Sequence, residues 1–444
     1  MMPEAPLVST NPLLLLAAHA ATVQPPRHAV RRAMVDWFAC LVPGARNAPG
    51  TLMAAALAGE RGAGRARCYI DNEVSGIRHA ALLNAVASHT VEFDDIHRDS
   101  GHHPGSVTIA AALAAAQHHG ASLETLHRAI TAGYEVACRI GMAVTPSHYR
   151  NWHTTGTVGT MGAAAAVAVI LGCDEQKIAH AIALSATMAG GLQQAFRGDG
   201  MSKPLHPGHA AEAGTLAAMS AAAGMTGALD VLHGPVGFAA ATSDSTGRWD
   251  VALAGLDGTP LIDSITFKNH GCCGHIFPAL DAVTTLRAEH GFGPDDVKRI
   301  HIGGYSATKD VTDRPDARTE QECRFSAQYC MGALLVLGGV RLAAFTPDNL
   351  VNPAIRAIMP RVSVSLSPDL ASAYPRQRAA RVEVELTDGR VLSHYQPTRK
   401  GDPDMPLTDE ELSQKFRELV VPVVGQASAE ALLNRLWHDD VLPD

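Results

Sequence analysis

From Gly156 to Gly172 the sequence reads GTVGTMGAAAAVAVILG, seventeen residues without a charged side chain. A stretch this apolar lies away from water, so its backbone N–H and C=O groups must find partners inside the fold. Alanine, the best helix former, supplies five of the seventeen positions, and nothing in the run alternates as a strand does. The run is too short and too weakly apolar to span a membrane. It predicts a helix buried on all sides, and such a helix needs other helices around it.

The neighbouring sequence supplies them. RHAVRRAMVDWFACLVPG, HAALLNAVASHTVEF, SVTIAAALAAAQHHG, LETLHRAITAGYEVACRIGMAV, IAHAIALSATMAGGL and HAAEAGTLAAMSAAAG place apolar residues at helical spacing, several of them ending in glycine. Aromatic residues are only 5% of the chain, which favours close-packed helices over sheets. At 444 residues the chain is about twice what one core supports, so two domains are expected. The pattern changes near Pro260. VKRIHIGGYSA (297–307), RVSVSLS (361–367) and ARVEVELTDGRVLSHY (380–395) alternate with period two, and Asp388-Gly389 marks a hairpin turn. Helical segments lie between them. The expected fold is mainly α: a large all-helical domain over 1–259, and a smaller α+β lid domain over 260–400. Helices in 401–444 complete the first domain, starting from a capping box of Thr408 and Glu411.

Several function classes lose support. A net charge of −8 argues against nucleic acid as a partner. Eight scattered cysteines with no CxxC pair, and an N-terminus without a basic region before its apolar run, are expected of a reduced, cytoplasmic protein with no membrane partner. The sequence contains no GxGxxG after a strand, no GxxxxGK[ST], no GxSxG and no HExxH.

The polar residues sit at helix mouths. His103-Pro104 precedes one helix, with Ser106 expected as its N-cap. His153, Thr154 and Thr155 precede the charge-free run, and Lys203 and His206 precede a third helix. A helix start carries free N–H groups and partial positive charge, so three starts aimed at one cleft would hold carboxylates. Taken singly, most of the 22 histidines would be structural; the shared layout is what points to chemistry. Asp94 and Asp95 lie just ahead of His103, as acid/base candidates or as the start of a loop. A fourth cluster, FKNHGCCGH, holds Lys268, His270, Cys272, Cys273 and His275. Its vicinal cysteines fit one tetrahedral metal ion poorly, so no metal is expected. A site between the two domains, with the smaller one closing over it, is the expectation.

Together ALLNAVASHTVEFDD, HHPGS, HYRNWHTTGTVGTMGAAAA, KPLHPGHAAEAG, FKNHGCCGHIFPALDA, RFSAQYCMGALL and KGDPDMPLTDEEL resemble the MmgE/PrpD family, in the same order and over nearly the whole chain. The family includes 2-methylcitrate dehydratase, cis-aconitate decarboxylase and iminodisuccinate epimerase activities. The resemblance implies a homodimer without metal or organic cofactor. It also implies site roles for His103, His153, Lys203 and His275, an epimerase-type pair of Tyr149 and Lys203, and a lid tyrosine, Tyr305 or Tyr329. Family decarboxylases read DFDDT where this chain reads Glu92-Phe93-Asp94-Asp95-Ile96, with one more residue before His103.

These reactions share proton movement at a carbon beside a carboxylate. The leading expectation is a cofactor-independent hydro-lyase on a small di- or tricarboxylate, resembling 2-methylcitrate dehydratase. Lys203, its pKa lowered in an apolar pocket, or Tyr149 would be the base, and His103, His153 or His275 the acid. Asp94, Thr154, Thr155, Lys268, Tyr305 and Tyr329 would bind substrate. An aminodicarboxylate epimerase comes next, then a cis-aconitate-type decarboxylase or a non-catalytic carboxylate-binding protein.

Overall fold

The computed structural model describes residues 10–196, 200–374 and 376–443. The chain forms two compact units. The larger holds the described residues up to Thr266 and those from Asp409 onward; the smaller is Phe267–Thr408. In the larger unit the chain runs through α1 (Pro12–Thr22), α2 (Arg27–Gly44), a short ribbon of β1 (Ala66–Cys68) and β2 (Glu73–Ser75), and α3 (Ile77–Thr90). It continues through α4 (Pro104–His119), α5 (Leu123–Val144), α6 (Thr154–Ile170), α7 (Glu175–Ala186) and α8 (Leu205–Ala222). The charge-free run is α6, and every one of its residues is buried. It packs against α4, α5, α7 and α8. Small residues allow this: a Cβ on Gly162 would lie 2.7 Å from the Ala137 Cβ and 2.8 Å from the Gly133 carbonyl. No helix among the described residues is long and apolar enough to cross a membrane.

One helix start differs from expectation. α4 begins at Pro104, with His103 at the N-cap; Ser106 lies inside the first turn and donates to the His103 carbonyl at 3.2 Å. Proline at the first position has the right φ and no N–H to satisfy, so it displaces the serine as the start signal.

The smaller unit contains α9 (Phe277–His290), β3 (Val297–Gly304), α10 (Ala327–Leu337), β4 (Val362–Leu366), β5 (Ala380–Leu386) and β6 (Val391–Gln396). The sheet order is β4-β3-β5-β6. β3 and β4 are parallel, with Ile302 opposite Val364, while β5 is antiparallel to both β3 and β6. The β5–β6 turn has Gly389 at φ +91°, a conformation glycine takes without strain, and Asp388 accepts from the Arg390 N–H at 3.0 Å. Ile300, Ile302, Val382 and Val384 share a core with Phe277, Leu280 and Met331.

The chain then returns to the larger unit as α11 (Asp409–Val424) and α12 (Gln426–His438). α11 opens on Asp409, Glu410 and Glu411, acids that suit the positive end of a helix. It packs on α2 through an ion pair with both side chains 1% exposed: Lys415 Nζ to Asp36 Oδ1, 2.6 Å.

Candidate active site

In the larger unit the last turn of α3 presents His89. The chain then turns through Glu92, which adopts a left-handed φ of +57°, and runs to His103 at the mouth of α4. Asp94 lies on this turn, fully buried. Its Oδ2 is 2.7 Å from His89 Nδ1 and 3.3 Å from His103 Nδ1. The mouth of α6 is tied to that of α4, because the His103 N–H donates to Thr155 Oγ1 at 3.2 Å. At α6 the N-cap is His153, whose Nδ1 is 3.0 Å from Nδ1 of His206 in the first turn of α8. The rings form a chain: His103 to His89 at 5.0 Å between centroids, His89 to His153 at 5.7 Å, His153 to His206 at 5.2 Å. Lys203, just ahead of α8, is ion-paired with Glu92 and adds its charge to the field at His153 and His206. Three helix mouths thus meet in one cluster of imidazoles, two acids and an ammonium.

The cluster separates charged from neutral groups. Burial alone would raise the Asp94 carboxyl, but His89 and His103 outweigh it and hold Asp94 well below the usual carboxylate range. Burial, helped by neighbouring cations, lowers His153 well below an ordinary imidazole and His206 to about 4, so both are neutral near pH 7. Asp95 behaves oppositely. Burial first, then nearby Asp36, push it up to about 8, although it accepts from Tyr134 Oη at 2.7 Å and the Gly105 N–H at 3.0 Å. Gly105 has to be glycine here, since a Cβ would lie 2.8 Å from Asp95 Oδ1.

Of the residues singled out from the sequence, His103, His153, Lys203, Asp94 and Thr155 come together in this cluster. Thr154 is buried beside them at the start of α6, with an unpartnered hydroxyl. Tyr149 lies on the turn before α6, 44% exposed, with its ring 3.7 Å from where a Gly101 Cβ would be. The apolar pocket expected around Lys203 is replaced by the Glu92 carboxylate. Asp94 is turned to two imidazoles, which makes it a group that orients them. His89 and Glu92 were missed as site residues. Neither had a signal in its spacing: His89 ends a helix where the other site histidines begin one, and the left-handed turn at Glu92 shows only in the structure.

The smaller unit has its own polar group. His275 Nδ1 is 2.8 Å from Tyr305 Oη, and Tyr305 stacks on Tyr374 at 4.6 Å. Burial first, then Arg378 and Arg399, lower His275 to about 3. Tyr329 is committed elsewhere, since its hydroxyl faces the carbonyls of Ala344 (2.5 Å) and Asn349 (3.0 Å). Lys268 is buried and contributes charge near Cys272. His270 bonds Asp281 at 3.0 Å while His275 bonds Tyr305, so the FKNHGCCGH residues do not gather into one ligand set.

Among the described residues, His89, Asp94 and His103 have ligand atoms close enough to hold a metal ion. Ligands around a tetrahedral ion at about 2.0–2.1 Å stand roughly 3.3 Å apart. The 2.7 Å separation of His89 from Asp94 is that of a direct hydrogen bond.

Comparison with known proteins matches residues 17–248 to the MmgE/PrpD N-terminal domain and residues 270–439 to the MmgE/PrpD C-terminal domain. The chain is 28% identical to a cis-aconitate decarboxylase of Homo sapiens, over 82% of this chain and 77% of that protein. It is 24% identical to a cis-aconitate decarboxylase of Aspergillus terreus, over 98% of this chain and 94% of that one.

Proposed function

Because the chain belongs to the MmgE/PrpD family, we propose that it is a cofactor-independent acid/base lyase on a small unsaturated polycarboxylate, working as a cis-aconitate-type decarboxylase. The observation that carries this reading is His103, its Nδ1 3.3 Å from the carboxylate of an ionised Asp94, in the same cluster as Lys203. The decarboxylase relatives favour loss of carbon dioxide over the loss of water expected from the sequence.

The reaction needs no electron acceptor beyond the substrate. A carboxylate on the carbon next to a C=C bond leaves as carbon dioxide, and its bonding pair forms a new double bond. The old alkene pair moves to the far carbon, which bears another carboxylate and takes up one proton. His103, with Nδ1 turned to Asp94, supplies that proton from its other nitrogen. Lys203 and the N–H groups at the three helix mouths hold the remaining carboxylates and the charge that builds on them. Neutral His153 and His206 donate hydrogen bonds without adding positive charge that would hold the departing carboxylate in place.

Elimination of water remains a second reading, favoured by Glu92 and Ile96 at positions where family decarboxylases carry aspartate and threonine. NMR in deuterium oxide with cis-aconitate separates the possibilities. Decarboxylation gives carbon dioxide and a product with one deuterium in its new methylene group. Interconversion with a hydroxy acid and no gas would replace it with the hydro-lyase, and deuterium exchange alone with the epimerase. No change with any polycarboxylate would leave a binding protein.

A further inference from the structure

α4 starts without a side-chain cap from its own N-cap residue, His103, and Pro104 follows it. An acceptor for the first free N–H of the helix comes from ten residues upstream, where Asp95 Oδ1 takes the Gly105 N–H at 3.0 Å. The other oxygen, Oδ2, meets the Tyr134 hydroxyl of α5 at 2.7 Å. Both side chains are buried, so water does not compete for either bond. The phenol hydroxyl donates and accepts, so its contact survives protonation of the acid. Gly105 leaves the room for both partners: a Cβ there would lie 2.8 Å from Asp95 Oδ1 and 2.9 Å from Tyr134 Oη.

Asp95 follows Asp94 directly in the chain, and Gly105 lies just beyond His103 and Pro104. The Asp95–Gly105 bond therefore clasps the turn that carries the Asp94 carboxylate to the helix mouth that carries the His103 imidazole. The two imidazole contacts of Asp94 differ in tolerance. His89 Nδ1 is 2.7 Å from Asp94 Oδ2, and His103 Nδ1 is 3.3 Å from it, at the outer edge of hydrogen-bond range. Loosening the clasp is felt first at His103, while His89 belongs to α3 and not to the clasped mouth.

We infer that Asp95, with Tyr134, is a positioning residue that sets the separation of Asp94 from His103 by holding their two segments together. Its effect on turnover rests on the proposed reaction; its effect on the His103 ring does not.

The test compares Asp95→Ala, Asp95→Asn and Tyr134→Phe in the full-length protein. The His103 and His89 rings are followed by NMR, each signal assigned by its loss in His103→Gln or His89→Gln, and kcat and KM are measured on cis-aconitate. Leu16→Ala, at a buried position of α1, is the control for loss of stability alone. Asp95→Ala is expected to shift the His103 signal more than that of His89, and to lower kcat about tenfold or more with little change in KM. Asp95→Asn, whose amide can accept from Gly105 and donate to Tyr134, should keep both near wild type. Tyr134→Phe leaves the Gly105 bond in place and should shift the His103 signal in the same direction by less. A wild-type His103 signal in folded Asp95→Ala overturns the inference, as does a wild-type kcat where the parent enzyme is active, or an equal shift in Leu16→Ala. Should Asp95→Ala fail to fold, an unmoved His103 signal in Tyr134→Phe overturns it and a shift sustains it. A His103 signal that depends on Asp95 in a protein that turns over no polycarboxylate would sustain the positioning role while the proposed decarboxylase fails.

Discussion

His103 meets Asp94 in the interior of the larger unit, Nδ1 to Oδ2 at 3.3 Å, and the same oxygen takes His89 Nδ1 at 2.7 Å. One carboxylate therefore sets the orientation of two rings. Asp94→Asn keeps the shape and removes the charge. Turnover is expected to fall by about 100-fold or more, the usual size for disabling a general acid, with a smaller change in KM. The carboxyl lies below its unfolded value, so its stabilising contribution is present above about pH 4 and fades as pH falls through the folded value. The stability gap between wild type and variant, read from urea unfolding, should therefore shrink below pH 4.

Lys203 and Glu92 face each other across the turn after α3. If Lys203 holds a substrate carboxylate, Glu92 competes for it in the empty site and positions it in the filled one. Lys203→Met is expected to cut kcat/KM by about 100-fold or more. Glu92→Gln should change KM more than kcat. Steady-state kinetics on cis-aconitate reads both, and equal activity of Lys203→Met and wild type would remove the lysine from the mechanism.

The α6 run was legible because its lack of charge leaves few ways to satisfy a backbone, and the histidines at helix mouths were legible because they repeat a layout. Glu92 stands out in the sequence only as a departure from a family pattern, because nothing in its spacing says that the chain turns left-handed there and aims it at Lys203. Tyr305 and Tyr329 could not be told apart either: their difference is a hydrogen-bond partner supplied by distant chain.

The buried histidines make the fold acid-sensitive. His148 and His206 are each lowered to about 4, chiefly by burial. Between about pH 6.5 and 4 the unfolded chain binds protons that the folded chain refuses. The contribution of these histidines is complete above 6.5 and falls as pH drops toward 4. Thermal midpoints measured from pH 7.5 to 4.5 are expected to drop steadily, with the steepest fall below 6. His148→Gln, which keeps a donor and an acceptor toward Thr157 and Thr242, should flatten that slope.

Asp95 gives the opposite slope. Its folded value of about 8 lies above its unfolded one, so its contribution is present at low pH and lost as pH rises through 8. Asp95→Asn can still accept from the Gly105 N–H, and it cannot ionise. The variant is expected to gain stability over wild type as pH rises from 5 to 9, measured by urea midpoints; a gap that does not widen would mean that Asp95 is already ionised in the folded protein.

Lys415 connects the last part of the chain to the site. Besides Asp36, its Nζ donates to the Phe93 carbonyl at 2.7 Å, and the ammonium lies 4.5 Å from the centre of the Phe93 ring. Phe93 stands between Glu92 and Asp94, so α11 fixes the backbone that carries both acids. Lys415→Met strands Asp36 in the core and is expected to cost about 3–5 kcal/mol. The double variant Lys415→Met/Asp36→Leu removes the stranded charge and should recover most of that stability. It does not restore the bond to the Phe93 carbonyl. Turnover in the double variant is therefore expected to stay low while its urea midpoint returns toward wild type. Recovery of both together would show that Lys415 serves stability alone and that the acid-bearing turn holds its shape without it.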